Sequence, residues 1–170
     1  MTAQVIHLPV KREELEAIAQ RCSAMVKKRA MVSAGAVLVP IPGLDIAADV
    51  ALLVQLISRI NAEFGLTPEQ IARLDHRTKL LVYKAMVSFG GAMIGKVVTE
   101  GMVMQALKLV GVRVTAKQAA KYVPVAGQAL AAGLSYSAMR LMGERHIKDC
   151  QRLLQTVRES MERQASAAHP

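Results

Sequence analysis

Aromatic side chains are nearly missing from this 170-residue chain. It has no tryptophan, two phenylalanines and three tyrosines. A hydrophobic core must therefore be built from Ala, Val, Leu, Ile and the ten methionines, whose flexible side chains fill irregular gaps. Proteins that bind single-stranded nucleic acids stack the bases on aromatic rings, so this composition disfavours a nucleic-acid partner.

Acidic residues are also scarce. Lys and Arg together number 22 against 13 for Asp and Glu, which gives a formal net charge of +9 at pH 7. The sequence pI is about 9.9. This balance favours anionic partners, and because nucleic acid is disfavoured, an anionic membrane surface suits the charge better.

Cysteine occurs only twice, at Cys22 and Cys150. Both lie on the apolar faces of expected helices, which predicts buried free thiols in a reducing cytoplasm. The first residues lack the charged-then-apolar order of a signal peptide. The expected location is therefore cytoplasmic, with peripheral attachment to the inner face of the cell membrane as a compatible addition.

No strand-like alternation is visible, whereas apolar residues recur at helical steps, as at Leu15, Ile18 and Cys22. We predict an all-α fold, a single compact bundle of about five or six helices with two hydrophobic helical hairpins turning at Pro-Gly corners. Residues 1–10 are expected to form a flexible arm, residues 11–164 a single all-helical domain and residues 165–170 a flexible tail. Helices are expected over residues 11–30, 45–63, 80–110 and 127–164, and another begins at a capping box of Thr67 and Gln70.

The two predicted corners have a related sequence. The first contains Pro40, Pro42 and Gly43, and the second contains Pro124 and Gly127. The two segments align without a gap. Proline disfavours the interior of a helix because it lacks the amide donor, so both segments should interrupt the helices around them. We interpret both segments as tight structural corners, equivalent if the chain contains an internal duplication.

The sequence around the first corner, PIPGLDIAADVALLVQLISRINAEFGL, resembles a known family. It is similar to the C-terminal helical domain of the immunity-related GTPases and to the related bacterial helical domain of unknown function found beside Era-like GTPases. The second corner matches the second hydrophobic hairpin of those domains. The resemblance covers roughly residues 30–145 and excludes the GTPase domain itself. It implies a helical domain that assists membrane association or couples to a GTPase, without nucleotide hydrolysis of its own.

Seven basic residues are candidate contacts for a membrane or a protein partner. Four of them occur near the second corner without an acidic residue among them, and three end the first expected helix. They are Lys108, Arg113, Lys117, Lys121, Lys27, Lys28 and Arg29. The alternative for the four residues near the second corner is that they are simply solvated charges. The alternative for residues 27–29 is a favourable interaction with the dipole of the helix that they end.

Two carboxylates fall in the apolar second helix. Asp45 is placed to cap its N-terminus. Asp49 lies one turn later, and we expect both carboxylates to be buried. A buried carboxylate requires a partner, and an ion pair or backbone amides are the expected ones.

One segment resembles part of a phosphate-binding loop. Residues 90–96 read GGAMIGK, but Val97 stands where a magnesium-binding hydroxyl is needed. No strand is expected before this segment. We therefore predict that residues 90–97 lie on a helix, where Gly91 and Gly95 allow close helix packing, and bind no nucleotide.

We find no catalytic constellation in the sequence. His146, Asp149 and Cys150 lie on neighbouring turns, but Cys150 is expected on the core face, so we expect no metal and no cofactor. The sequence indicates a non-catalytic helical interaction module. Its expected partners are a membrane surface, a separately encoded GTPase or another protein, and homo-oligomer formation is left open.

The alternative function is a membrane-inserting protein that uses the two apolar hairpins. The longest charge-free runs, residues 30–44 and 122–139, are interrupted by proline. Neither run therefore predicts a membrane-spanning helix, for which about 20 continuous apolar residues are required. Each run would still suit a hairpin that enters one leaflet.

Overall fold

Helices dominate the part of the chain that the computed structural model describes, which is residues 7–36, 44–89, 93–109 and 126–167. These residues contain six helices and no strand, which confirms the predicted all-α bundle. The helices are α1 (Arg12–Ala36), α2 (Leu44–Glu63), α3 (Pro68–Ala72), α4 (His76–Phe89), α5 (Glu100–Leu109) and α6 (Ala126–Ala167).

The chain divides into two compact units. Unit 1 comprises Met1–Cys22, Ser58–Val97 and His146–Pro170, and unit 2 comprises Ser23–Ile57 and Val98–Arg145. Three of the four boundaries fall within helices α1, α2 and α6, and the fourth lies between Val97 and Val98, before α5. The predicted division into an arm, one domain and a tail stays a prediction.

Helix α1 is longer than the sequence predicts. It continues to Ala36, six residues beyond the expected end at Ala30. The basic run at residues 27–29 therefore lies inside the helix, and the last turn of α1 contains no basic residue. The explanation of this run by the helix dipole is wrong, because that interaction is confined to the terminal turn.

The connection between α2 and α3 follows the sequence closely. Gly65 has φ +72°, a left-handed conformation that glycine adopts without steric cost. Thr67 then accepts a hydrogen bond from the Gln70 amide, and the Gln70 side chain accepts one from the Thr67 amide. The predicted capping box is confirmed, with Pro68 at the first helical position.

The expected long helix over residues 80–110 is wrong. Helix α4 ends at Phe89, residues 93–96 form a turn, and α5 starts only at Glu100. Gly95 has φ +69°, which is outside the helical region. The prediction that this segment is helical is therefore wrong for residues 93–97. The Thr99 hydroxyl accepts a 3.4 Å hydrogen bond from the Met102 amide and so caps α5.

Each unit has its own, mainly aliphatic interior. In unit 1 the largest fully buried side chains include Leu15, Ile60, Phe64, Leu66, Ile71, Ile94, Leu153 and Leu154. In unit 2 they include Leu53, Leu56, Ile57 and Met139. Aliphatic side chains make up most of the buried core, as predicted, but Phe64 is also fully buried and was not among the expected core residues. Both cysteines are buried free thiols as expected.

Close helix contact in unit 2 depends on a glycine. A β-carbon at Gly143 of α6 would lie 2.6 Å from Val26 Cγ2 of α1, closer than real side chains approach. Gly143 therefore allows α6 to pack directly on the branched side chain of Val26. Sequence patterns did not single out this pair.

Candidate functional site

The predicted Pro-Gly corners fall largely outside the described residues. Pro40, Pro42, Gly43 and Pro124 are not described, so the equivalence of the two corners is untested. Gly127 lies in α6, one residue after its start at Ala126. This position agrees with the long helix expected from residue 127.

The predicted basic contacts are described only in part. Arg113, Lys117 and Lys121 lie outside the described residues. Lys108 is exposed in the last turn of α5, and Lys27 and Lys28 are exposed on α1. Arg29 is half-buried, and its guanidinium donates a 3.0 Å hydrogen bond to the Gln55 side chain of α2.

The carboxylates of α2 differ from their predicted roles. Asp45 follows Leu44 inside the helix, so it does not occupy the expected N-cap position, and its side chain is not described. Asp49 is half-buried rather than fully buried. It accepts hydrogen bonds from the hydroxyls of Ser33 on α1 and of Ser135 on α6, the latter at 2.9 Å. Serine hydroxyls were not among the expected partners, because the sequence does not show which helices meet at Asp49.

A second polar cluster lies in the interior of unit 1. His146 Nε2 lies 2.8 Å from Asn61 Oδ1, and Cys150 Sγ lies 3.8 Å from the same oxygen and 3.7 Å from His146 Nε2. The Asn61 amide nitrogen donates to the Met93 carbonyl at 2.8 Å. Sequence analysis missed Asn61, because its partners lie far from it along the chain.

Cys, His and Asn are residue types used in nucleophilic catalysis, but their chemistry here differs. Burial lowers the pKa of His146 from its ordinary value of 6.5 to about 4. Burial, followed by the Asp149 charge, raises the pKa of the Cys150 thiol well above its ordinary value. The imidazole and the thiol are therefore both neutral near pH 7, whereas an activated cysteine is a thiolate.

The tautomer of His146 also argues against activation of the Cys150 thiol. Because Asn61 donates through its nitrogen to Met93, its Oδ1 must accept, and His146 Nε2 carries the proton. That nitrogen cannot also take a proton from Cys150. The three side chains form a buried hydrogen-bonded network that ties α2, α6 and the turn at residues 93–96 together within unit 1.

The segment that resembles a phosphate-binding loop lacks the required geometry in its described part. Helix α4 precedes it, rather than a strand, and Val97 is exposed. The following helix begins at Glu100, whose carboxylate opposes anion binding at that terminus. Residues 90–92 lie outside the description, and the absence of nucleotide binding stays a prediction.

Over the described residues, no group of three or more His, Cys, Asp and Glu side chains is placed to hold a metal ion. One segment, Ala48–Ala72, is long and apolar enough to cross a membrane by length and composition. Half of its most apolar window is buried inside the protein, and core helices of soluble proteins also pass this criterion of length and composition. Moreover, the segment contains the turn at Gly65 and Pro68 at the start of α3.

Two exposed faces that carry apolar and basic side chains remain as candidate sites. The first, the α1 face, consists of Lys27, Lys28, Met31 and Val32. The second, the α4 face, consists of Leu80, Tyr83, Lys84 and Val87. All of these side chains are exposed.

A protein-family model described as a domain of unknown function (DUF697) matches residues 1–166 of the chain. This match confirms the resemblance to a helical domain of unknown function. It does not test association with a GTPase. Neither the curated proteins nor the solved structures that were compared gave a match.

Proposed function

The chain belongs to the DUF697 family, and from this premise we propose that it is a non-catalytic interaction module that binds anionic membrane surfaces peripherally. The α1 face makes the membrane contact, and the inner face of the cell membrane is the proposed location. The observation that carries the proposal is the exposure of two large apolar side chains one turn after two lysines on the same helix.

The spacing on α1 places these side chains together. Met31 lies four residues after Lys27 and three after Lys28, and Val32 lies four after Lys28, spacings that place side chains on one side of a helix. Met31 is 61% exposed and Val32 is 53% exposed. Apolar side chains that enter the headgroup region beside lysines are typical of helices that lie on a membrane.

The charges of the α1 face are available for lipid headgroups. Within the described part of the chain, neither Lys27 nor Lys28 forms an ion pair. Glu144, an acidic residue of the same unit, already accepts a 2.6 Å hydrogen bond from Ser23 and lies 3.7 Å from Arg140. Lys108 on α5 is a further exposed cation of unit 2.

The expected free energy of membrane binding through the α1 face is modest. Each lysine near an anionic surface contributes about 1 kcal/mol. Transfer of the exposed parts of Met31 and Val32 out of water adds about 1 kcal/mol each. A total of about 4 kcal/mol supports reversible attachment, which distinguishes this proposal from permanent insertion of an apolar hairpin.

Liposome flotation tests the proposal. The protein is expected to float with vesicles of phosphatidylserine and phosphatidylcholine at low salt and to stay behind with phosphatidylcholine alone. The double variant Lys27→Glu, Lys28→Glu should bind at least about tenfold more weakly, because it replaces attraction by repulsion. High salt should also release the wild-type protein.

The matched control changes the net charge equally at another place. Lys148 and Arg152 are exposed and one turn apart on α6, so Lys148→Glu, Arg152→Glu alters the charge by the same amount. This control should bind within about threefold of wild type. Equal losses in both variants would mean that only net charge matters and would contradict the α1 assignment. Binding that survives high salt and charge reversal would favour hairpin insertion instead.

A further inference from the structure

Helix α4 exposes an apolar stripe on its outer side. Leu80, Tyr83 and Val87 recur at steps of three and four residues and are 47%, 48% and 83% exposed. The opposite side of the helix packs into unit 1. The buried residues of α4 are Thr78, Leu81, Val82 and Ala85.

The surroundings of this stripe are basic along the chain. Residues 76–99 contain four Lys and Arg residues and no acidic residue. Lys84 lies one turn after Leu80 on the exposed side. Lys96 is exposed in the turn whose Gly95 packs against Met86 of α4. Neither lysine is part of an ion pair among the residues that the structure describes.

We propose that the α4 face is the docking site for an amphipathic helix of a partner protein, with acidic residues beside its apolar stripe. Apolar anchors at i, i+3 and i+7 are the spacing by which two helices recognise each other. Lys84 and Lys96 would pair with the acidic flanks of that helix. This surface lies on a different helix from the α1 face, so it is a second interaction in addition to the membrane contact.

The observations favour this occupant over two others. A second copy of the chain would bring like-charged lysines together, which disfavours association. A bilayer surface requires no fixed spacing of apolar side chains along a helix. Leu80, Tyr83 and Val87 keep the i, i+3, i+7 register that a facing helix matches, whereas the apolar residues of the α1 face are two neighbours on one turn.

A tryptophan reporter makes the test direct, because the chain contains none. Tyr83→Trp places the probe within the α4 face. The ligand is a synthetic amphipathic helix of about five turns with a leucine stripe flanked by glutamate, and the control peptide has lysine in place of each glutamate. We expect a saturable shift of the emission to shorter wavelength with the glutamate peptide alone.

Two double variants in this reporter background assign the binding site. Leu80→Ser, Val87→Ser should weaken peptide binding at least tenfold. Both side chains are exposed, so the fold should persist, as circular dichroism can verify. The matched change on the α1 face, Met31→Ser, Val32→Ser, should leave peptide binding unchanged and reduce vesicle flotation.

Four results would overturn the assignment of an acidic helix. The first is that the glutamate peptide does not bind, and the second is that the lysine peptide binds equally well. The third is a shift of the Tyr83→Trp emission when phosphatidylserine vesicles are added without peptide. The fourth is a shift of this emission when only the protein concentration is raised. The third would identify a membrane face and the fourth a self-association face. Vesicle binding through α1 is measured separately, so either proposal can fail without the other.

Discussion

At the scale of single residues, Asn61 holds the most connected polar position in the interior of unit 1. Its side chain accepts a hydrogen bond from His146 and donates one to the Met93 backbone carbonyl. The side chains of Asn61 and His146 are both buried. A buried polar group without a partner costs about 1–3 kcal/mol. The network therefore stabilises the fold only while His146 stays neutral and keeps its hydrogen bond to Asn61.

His146 predicts a loss of stability in acid. Its pKa is about 4 in the folded protein and 6.5 ordinarily, so the unfolded chain binds the proton first as the pH falls. The free energy of unfolding should be unaffected by this group above pH 6.5 and should fall between pH 6.5 and 4. A shift of this size corresponds to about 3 kcal/mol. Urea denaturation at several pH values measures this loss.

The variant His146→Gln isolates the contribution, since carboxylates also titrate in acid. Glutamine retains a donor for Asn61 but does not titrate. The difference in unfolding free energy between wild type and variant should change steeply from pH 6.5 to 4. A constant difference across that range would show that His146 is not the responsible group.

Some residue-level features could be predicted from the sequence and others could not. The burial of Cys22 and Cys150 follows from helical periodicity, because each lies on an apolar face. The contact of Asn61 with Met93 depends on where α4 ends, and no proline marks that end. The serine partners of Asp49 come from two other helices, so no local pattern shows them.

At the scale of elements, the sequence predicted helix identity better than helix ends. The basic run at residues 27–29 suggested a C-terminus for α1, but nothing in residues 30–34 breaks a helix and α1 continues. The end of α4 was missed for the opposite reason, since glycine and apolar residues there suit a helix as well as a turn. The capping box at Thr67 was predictable because it is entirely local.

The contact between α1 and α6 gives a prediction about packing. Gly143→Ala should lower the free energy of unfolding by about 1–2 kcal/mol, because overpacking against the stiff Val26 side chain outweighs the better helix propensity of alanine. Chemical denaturation measures the change.

Two controls separate packing from propensity. Gly133 lies on the same helix with no atom within 4 Å of an added β-carbon, so Gly133→Ala should stabilise by up to about 1 kcal/mol. Combining Gly143→Ala with Val26→Ala should destabilise less than the sum of the single changes. Additive effects would show that the two positions do not interact.

At the scale of the whole molecule, helical periodicity predicted the all-α class, whereas the anionic partners that the composition favours stay a prediction. The scarcity of aromatic residues and the positive charge favour an anionic membrane surface over nucleic acid. Which basic residues are exposed beside apolar ones depends on helix packing, and the sequence does not show it. Lys27 and Lys28 are exposed on the α1 face, whereas Arg29 next to them contacts Gln55.

The most direct test of membrane binding through α1 uses a single tryptophan at Val32, since the chain contains no other. With vesicles that contain phosphatidylserine at low salt, the emission of Val32→Trp should move to shorter wavelength as the ring enters the headgroup region. The shift should disappear at high salt and be absent with neutral vesicles. The comparison protein Val87→Trp, with its probe on α4, should not respond. An unchanged Val32→Trp spectrum, or an equal response of Val87→Trp, would contradict membrane docking through α1.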